Sequence, residues 1–141
     1  MELRTDKIRA CFDRKIGNFT ELWNLSTNTN YVRCAPRDPL IELYGLKNGE
    51  RVKLSGHISD VAEAPDALIL SYDSFGEYDI SAKVTCRCEQ DRLVFSAEIC
   101  NHSTIDVTEI LMPHLGGIYL GNGQKDYLIY PHHAGDKTED P

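Results

Sequence analysis

The sequence predicts an all-β fold, an antiparallel β-sandwich in a single domain spanning residues 1–141. Three observations predict it. Over Ile80 to Cys88, apolar Ile80, Ala82, Val84, Cys86 and Cys88 alternate with Ser81, Lys83, Thr85 and Arg87, the period of a strand with one dry face. Strand-length runs recur about every eight to twelve residues between polar or Gly-containing breaks. No segment carries a sustained helical periodicity. The length of 141 residues also suits one domain, since domains run to roughly 100–200 residues.

The organising stretch is Asp79 to Pro113. Glu89-Gln90-Asp91-Arg92 breaks the first strand, Leu93, Phe95, Ala97 and Ile99 alternate along a second, and Asn101-His102-Ser103-Thr104 leads to a third over 105–112. Short polar turns make this a three-stranded antiparallel meander. Its buried residues should include Ile80, Val84, Leu93, Phe95, Ala97 and Ile99. Truncating Phe95 to Ala would then cost about 3–5 kcal/mol.

The other elements are shorter. Ile8, Ala10 and Phe12 alternate over 7–13, and Arg14-Lys15-Ile16-Gly17 is a turn in which Gly17 can take positive φ. Residues 19–25 read as a strand, although the spacing of Phe19, Leu22 and Trp23 also fits one helical turn. Tyr31-Val32 is a short strand, and Pro36 and Pro39 punctuate an extended stretch. A strand over 41–46 meets one over 51–58 through Asn48-Gly49, a hairpin signal. Residues 59–66 read as loop, 67–72 as a buried strand, 118–120 and 127–130 as two short strands, and the tail 131–141 as loop.

Net charge is −7 with a pI near 5.1. That sign repels phosphate backbones and anionic lipid, arguing against nucleic-acid and membrane partners. The N-terminus lacks the apolar core of a signal peptide, and no apolar run nears the ~20 residues of a membrane span; the expected location is cytoplasmic. Five cysteines, an odd number, fit reduced thiols. Cys86 and Cys88 form half of a metal set at most, and two small buried hydrophobes are the simpler reading. No metal and no cofactor is expected.

Three stretches resemble one family. DRKIGNFTELWN (residues 13–24) resembles the opening hairpin of galactose-mutarotase-like domains, where Asp-x-x-x-Gly leads through a Leu to an Asn. LVFSAEICNHSTIDVTEILMPHLGGI (93–118) resembles their later strand, Asn-x-Ser turn and Pro- and Gly-ended strand. LIYPHHAGDKTEDP (128–141) resembles the segment that follows in glycoside-hydrolase-like proteins carrying such a domain ahead of a β/α barrel. The resemblance implies that the sandwich is part of a supersandwich, truncated at its C-terminus. It also implies a carbohydrate context, with the catalytic carboxylates on a barrel beyond residue 141.

Residue by residue, no complete catalytic set is legible. A ligand site is expected around Tyr119, Asp126, Tyr130, His132 and His133, where aromatics, imidazoles and carboxylates gather beside Gly bends. Tyr119, Tyr127, Tyr130 and Trp23 are candidate stacking planes for a sugar ring, against plain packing. Glu98 and Glu109 flank one turn and are the carboxylates to test for a facing pair. The expected function is a non-catalytic, carbohydrate-associated module of a glycoside-hydrolase-like protein that does not itself hydrolyse glycosides. The alternatives are a small aldose mutarotase or epimerase, or a protein-interaction domain. An apolar edge near residues 115–120 points to a homo-oligomer or to cover by the absent barrel.

Overall fold

The structure, a computed structural model, describes residues 1–34 and 36–119 in full and the strands 127–130 and 136–139 as backbone. Strands β1 (Glu2–Arg4), β2 (Ile8–Phe12), β3 (Phe19–Asn24) and β4 (Thr29–Asn30) make an antiparallel sheet in that order. Strands β5 (Glu42–Lys47) and β6 (Glu50–Leu54) form a hairpin. Strands β7 (Asp60–Glu63), β8 (Ala67–Tyr72), β9 (Ile80–Glu89) and β10 (Arg92–Asn101) make a second sheet, order β10-β9-β8-β7. Strand β11 (Asp106–Leu111) joins β5, and β12 (Tyr127–Tyr130) pairs with β13 (Asp136–Glu139). Every pairing is antiparallel, so the chain has the all-β, sandwich-type fold that its alternation predicts.

The alternation explains the core. Along β9 the residues from Ile80 to Cys88 at even positions are buried, while Lys83 and Arg87 are exposed. Leu3, Phe12 and Phe19 of the first sheet, Leu43 and Leu54 of the β5–β6 sheet, and Leu68, Leu70 and Val84 of the second meet in one cluster. Phe19 belongs to it, 4.8 Å from the Phe12 ring and 6.1 Å edge-on from Phe95. The turns follow their residues too. Asn48 (φ 55°) and Gly49 (φ 83°) close the β5–β6 hairpin, the two positive φ values of a type I′ turn. Gly17 has φ 71°, and a Cβ there would lie 2.5 Å from Leu70 Cδ1. Glycine thus serves twice, for the turn and for the approach of the first sheet to β8.

Several expectations need correction. The third strand of the expected meander, β11, leaves β10 and pairs with β5. Asn101 Nδ2 donates to the Ile105 carbonyl at 2.8 Å and its Oδ1 accepts from Ser103 N, a local turn that redirects the chain. Ile105 is buried, and the Asp106 carbonyl would lie 2.8 Å from a Cβ on Gly45. Alternation fixes a strand, not its neighbour. Leu93, Phe95, Ala97 and Ile99 are half-buried rather than buried, because β10 is an edge strand and covers less than a central one. Residues 59–66 contain β7, Asp60–Glu63, which pairs with β8 along its whole length while Val61 packs against the core. The tail expected as loop contains β13. The expected strands at 31–32 and 118–120 reduce, among the described residues, to one bridge between Val32 and Ile118.

The five cysteines are free thiols. Cys34 and Cys100 are exposed, Cys11 is half-buried, and Cys86 and Cys88 are buried side by side on one face of β9. Burial pushes Cys86 up to about 12, with Cys88 adding to it, and burial raises Cys88 as well. Since the thiolate is the reactive form, Ellman titration of the native protein should show Cys34 and Cys100 reacting first and Cys86 and Cys88 only on unfolding. Fewer than five thiols in denatured, unreduced protein would show bridging.

Candidate functional site

One small cleft gathers most of the chemistry, and it forms where four turns or strand ends converge. Asp13 Oδ1 accepts the N–H groups of Lys15 at 2.7 Å and Ile16 at 3.0 Å, and Gly17 N donates to the Asp13 carbonyl at 3.0 Å. That turn projects Lys15. The next residue but two, Asn18, is 1% exposed. Its Nδ2 donates to the carbonyls of Asp38 (2.9 Å) and His114 (2.8 Å), and its Oδ1 accepts from Phe19 N. One buried amide thus holds the β2–β3 turn, the Pro36–Pro39 segment and the bend after cis Met112–Pro113 together. Gly76 N donates to the Ser55 carbonyl at 2.7 Å, and Gly56 bridges Phe75. These contacts fix the end of β6 and place His57.

The resulting cleft has a volume of about 220 Å³ and is lined by Lys15, Arg37, Asp38, Glu42, Lys53, His57 and Tyr72 over Ile16, Ile41 and Leu54. Drug-sized sites run to roughly 300–1,000 Å³, so this one suits a single ring or a small ion. Glu42 is 3% exposed. It pairs with Lys53, accepts the Tyr44 hydroxyl at 3.0 Å, and lies 3.5 Å from His114 Nδ1. Burial pushes its carboxyl up, but the hydrogen bonds from Lys53 and Tyr44 and the charges of Lys53 and His114 outweigh that and hold it below the usual carboxylate range. Tyr72 is 2% exposed, and its hydroxyl has no hydrogen-bond partner among the described residues. Burial alone pushes it up to about 12, so it remains a protonated donor at neutral pH.

A second cavity, about 400 Å³, is the open mouth between the two four-stranded sheets. Ile8, Phe19, Leu22, Leu93, Phe95 and Leu115 line it, and Lys7 and Asp91 face each other across the rim at 3.7 Å. Its walls are mostly apolar, so it offers burial and little recognition.

Of the expected ligand-site residues, only Tyr119 has a described side chain. Tyr119 is exposed and stacks beneath Arg33, whose guanidinium lies 5.0 Å from the ring centroid. Tyr130 lies in β12 opposite Asp136. Asp126, His132 and His133 fall outside the described residues, and Tyr127 is described only as backbone in β12. Trp23 lies opposite Arg9 in the β2–β3 register, on the other face from buried Ala10, and its indole N–H donates to Glu21 at 2.7 Å. Glu98 and Glu109 do not form a facing pair. Glu98 lies on β10 opposite Lys83, whereas Glu109 lies on β11 in the other sheet and accepts from Arg51 at 2.8 and 3.1 Å. Among the described residues no three His, Cys, Asp or Glu side chains gather as a metal site.

Sequence reasoning missed the cleft because its parts are polar residues in separate turns. Lys15 and His57 read as ordinary solvated residues, and nothing in their spacing brings them together. The one available signal was Glu42, a carboxylate among Leu40, Ile41 and Leu43, since a charge in an apolar run asks for a buried partner. Comparison of the chain with models of protein families, with curated proteins and with solved structures finds no match.

Proposed function

We propose that this chain is a non-catalytic, carbohydrate-associated β-sandwich module of a glycoside-hydrolase-like protein, and that its sugar contacts are made in the Lys15–Arg37–His57 cleft. The observation that carries the reading is the convergence of Lys15, Arg37, Asp38 and His57 over an apolar floor in a volume suited to one ring. A sugar presents donors and acceptors at its rim and C–H groups on its faces, and both find partners here. The resemblance of residues 13–24 and 93–118 to mutarotase-like domains points to the same class of ligand. The non-catalytic part rests on Glu42. Glycoside hydrolysis needs one carboxyl raised to act as acid beside an ionised partner; Glu42 is held down instead, saturated by Lys53 and Tyr44.

Isothermal titration with a panel of mono- and disaccharides tests the binding. At least one sugar should bind saturably, and Arg37→Ala should weaken it about tenfold, the worth of one charge-assisted hydrogen bond. No binding, or binding indifferent to Arg37, would remove the reading. On nitrophenyl glycosides no turnover is expected. Turnover abolished by mutating Glu42, Glu98 or Glu109 would overturn the non-catalytic assignment.

The protein-interaction reading also has one observation in its favour. Strand β10 is ten residues long and, among the described residues, pairs on one side only. A free edge of that length is a template for another strand, and a second copy would meet it antiparallel about a twofold axis. Sedimentation velocity separates the cases: a strict monomer removes the homo-oligomer.

A further inference from the structure

We infer that the cleft contains an oxyanion subsite, formed by Lys15, Arg37 and the hydroxyl of Tyr72, so that the ligand it prefers is an acidic sugar bearing a carboxylate or phosphate. The inference rests on the carbohydrate reading for the rest of the ligand, but the subsite stands on its own observations.

The first is charge. Six ionisable side chains besides Tyr72 line the cleft: Lys15, Arg37, Lys53, His57, Asp38 and Glu42. Lys53 and Glu42 neutralise each other. Among the described residues Lys15 and Arg37 belong to no ion pair, and both are exposed at the rim. Asp38 is the remaining acid, and its charge acts on Lys53. Two cations therefore face one carboxylate. On a chain of net charge −7 this is a local reversal of sign, which draws an anion to this point of the surface.

The second observation is the Tyr72 hydroxyl. A buried hydroxyl without a partner costs free energy that a native structure normally avoids. This one lies beneath the turn that carries Lys15, 3.5 Å from where a Cβ on Gly17 would stand. Glycine keeps that approach open. With its proton retained, the hydroxyl can only gain by donating, and an oxyanion held by Lys15 and Arg37 is the acceptor it lacks. Arg supplies the planar fork that matches carboxylate and phosphate, and Lys a point charge.

The test is a set of NMR titrations of the ¹⁵N-labelled chain with glucose, glucuronate, glucose 6-phosphate and inorganic phosphate. The expected result is saturable shifts at Lys15, Arg37 and Tyr72, with an acidic sugar bound about tenfold or more tighter than glucose. Preference for glucuronate or for the phosphate ester assigns the source of the oxyanion. Inorganic phosphate bound there, with no sugar bound, supports the subsite and removes the carbohydrate reading. Glucose bound as tightly as the acidic sugars overturns the subsite and leaves the carbohydrate reading standing, while no binding of any probe overturns both. Two variants localise the effect. Tyr72→Phe deletes only an unpartnered oxygen, and Arg37→Gln alters an exposed side chain, so both should fold. Tyr72→Phe should weaken the acidic ligand several-fold and Arg37→Gln about tenfold, with glucose less affected. Variants that bind acidic sugars like the parent protein would overturn the assignment.

Discussion

Phe19→Ala should lower stability by about 3–5 kcal/mol, the cost of deleting a fully buried aromatic, and should be the most damaging single truncation in the first sheet. Phe19 is 2% exposed. Its ring touches those of Phe12 and Phe95, so its loss opens a cavity between the two four-stranded sheets. Phe95→Ala should cost only about 2 kcal/mol, because that ring is half-buried at the mouth of the apolar groove. Urea denaturation at matched m-values measures both. Equal costs for the two variants would mean that the groove is closed in solution. The second copy considered above would be its natural cover, and the cost of Phe95→Ala would then depend on protein concentration.

The difference between these two phenylalanines marks what the sequence could disclose. Alternation along β9 named Ile80, Val84, Cys86 and Cys88 as inward, and all four are buried. Asn48-Gly49 and Gly17 named their turns. The period identifies a face but carries no information about neighbours. Phe95 and Val84 therefore looked equivalent until β10 proved to be an edge and β9 a centre. The same limit sent β11 to the wrong partner, since its pairing with β5 depends on Gly45 and on the Asn101 turn rather than on its own pattern. Strands β7 and β13 were invisible for a further reason: Asp60–Glu63 and Asp136–Glu139 pair through backbone groups, which every sequence carries. The cleft depends on Asn18, a residue that looks like any turn asparagine until its amide is found bonded to carbonyls 20 and 96 residues away.

Lys53→Met should cost about 3 kcal/mol at neutral pH and should reverse the pH dependence that Glu42 contributes. Stripping one partner from a buried ion pair typically costs about 3–5 kcal/mol. The low end applies because the Lys53 side chain is 43% exposed. In the parent protein the folded carboxyl of Glu42 lies below its unfolded value of about 4.3. Its contribution is therefore complete above that value and is lost as pH falls through the lower, folded one. Lys53 is raised in the folded state, chiefly by its hydrogen bond to Glu42. Its contribution is present below the ordinary lysine range and is lost as pH rises through the raised value. Without Lys53, the burial that already opposes ionisation of Glu42 loses its main counterweight, and only Tyr44 and His114 remain beside the carboxyl. The folded carboxyl should then titrate above its unfolded value. The folded state would favour the protonated acid, and stability would fall as pH rises from about 4 toward 7. On Glu42's account, denaturant midpoints in the parent should rise with pH only up to about 4 and then level off, whereas in Lys53→Met they should fall as pH rises across that window. The double variant Lys53→Met, Glu42→Gln should lose the reversed slope and recover part of the stability, since a neutral amide costs less to bury than an unpaired carboxylate. Parallel pH profiles for the parent and Lys53→Met would show that Lys53 does not hold Glu42 ionised.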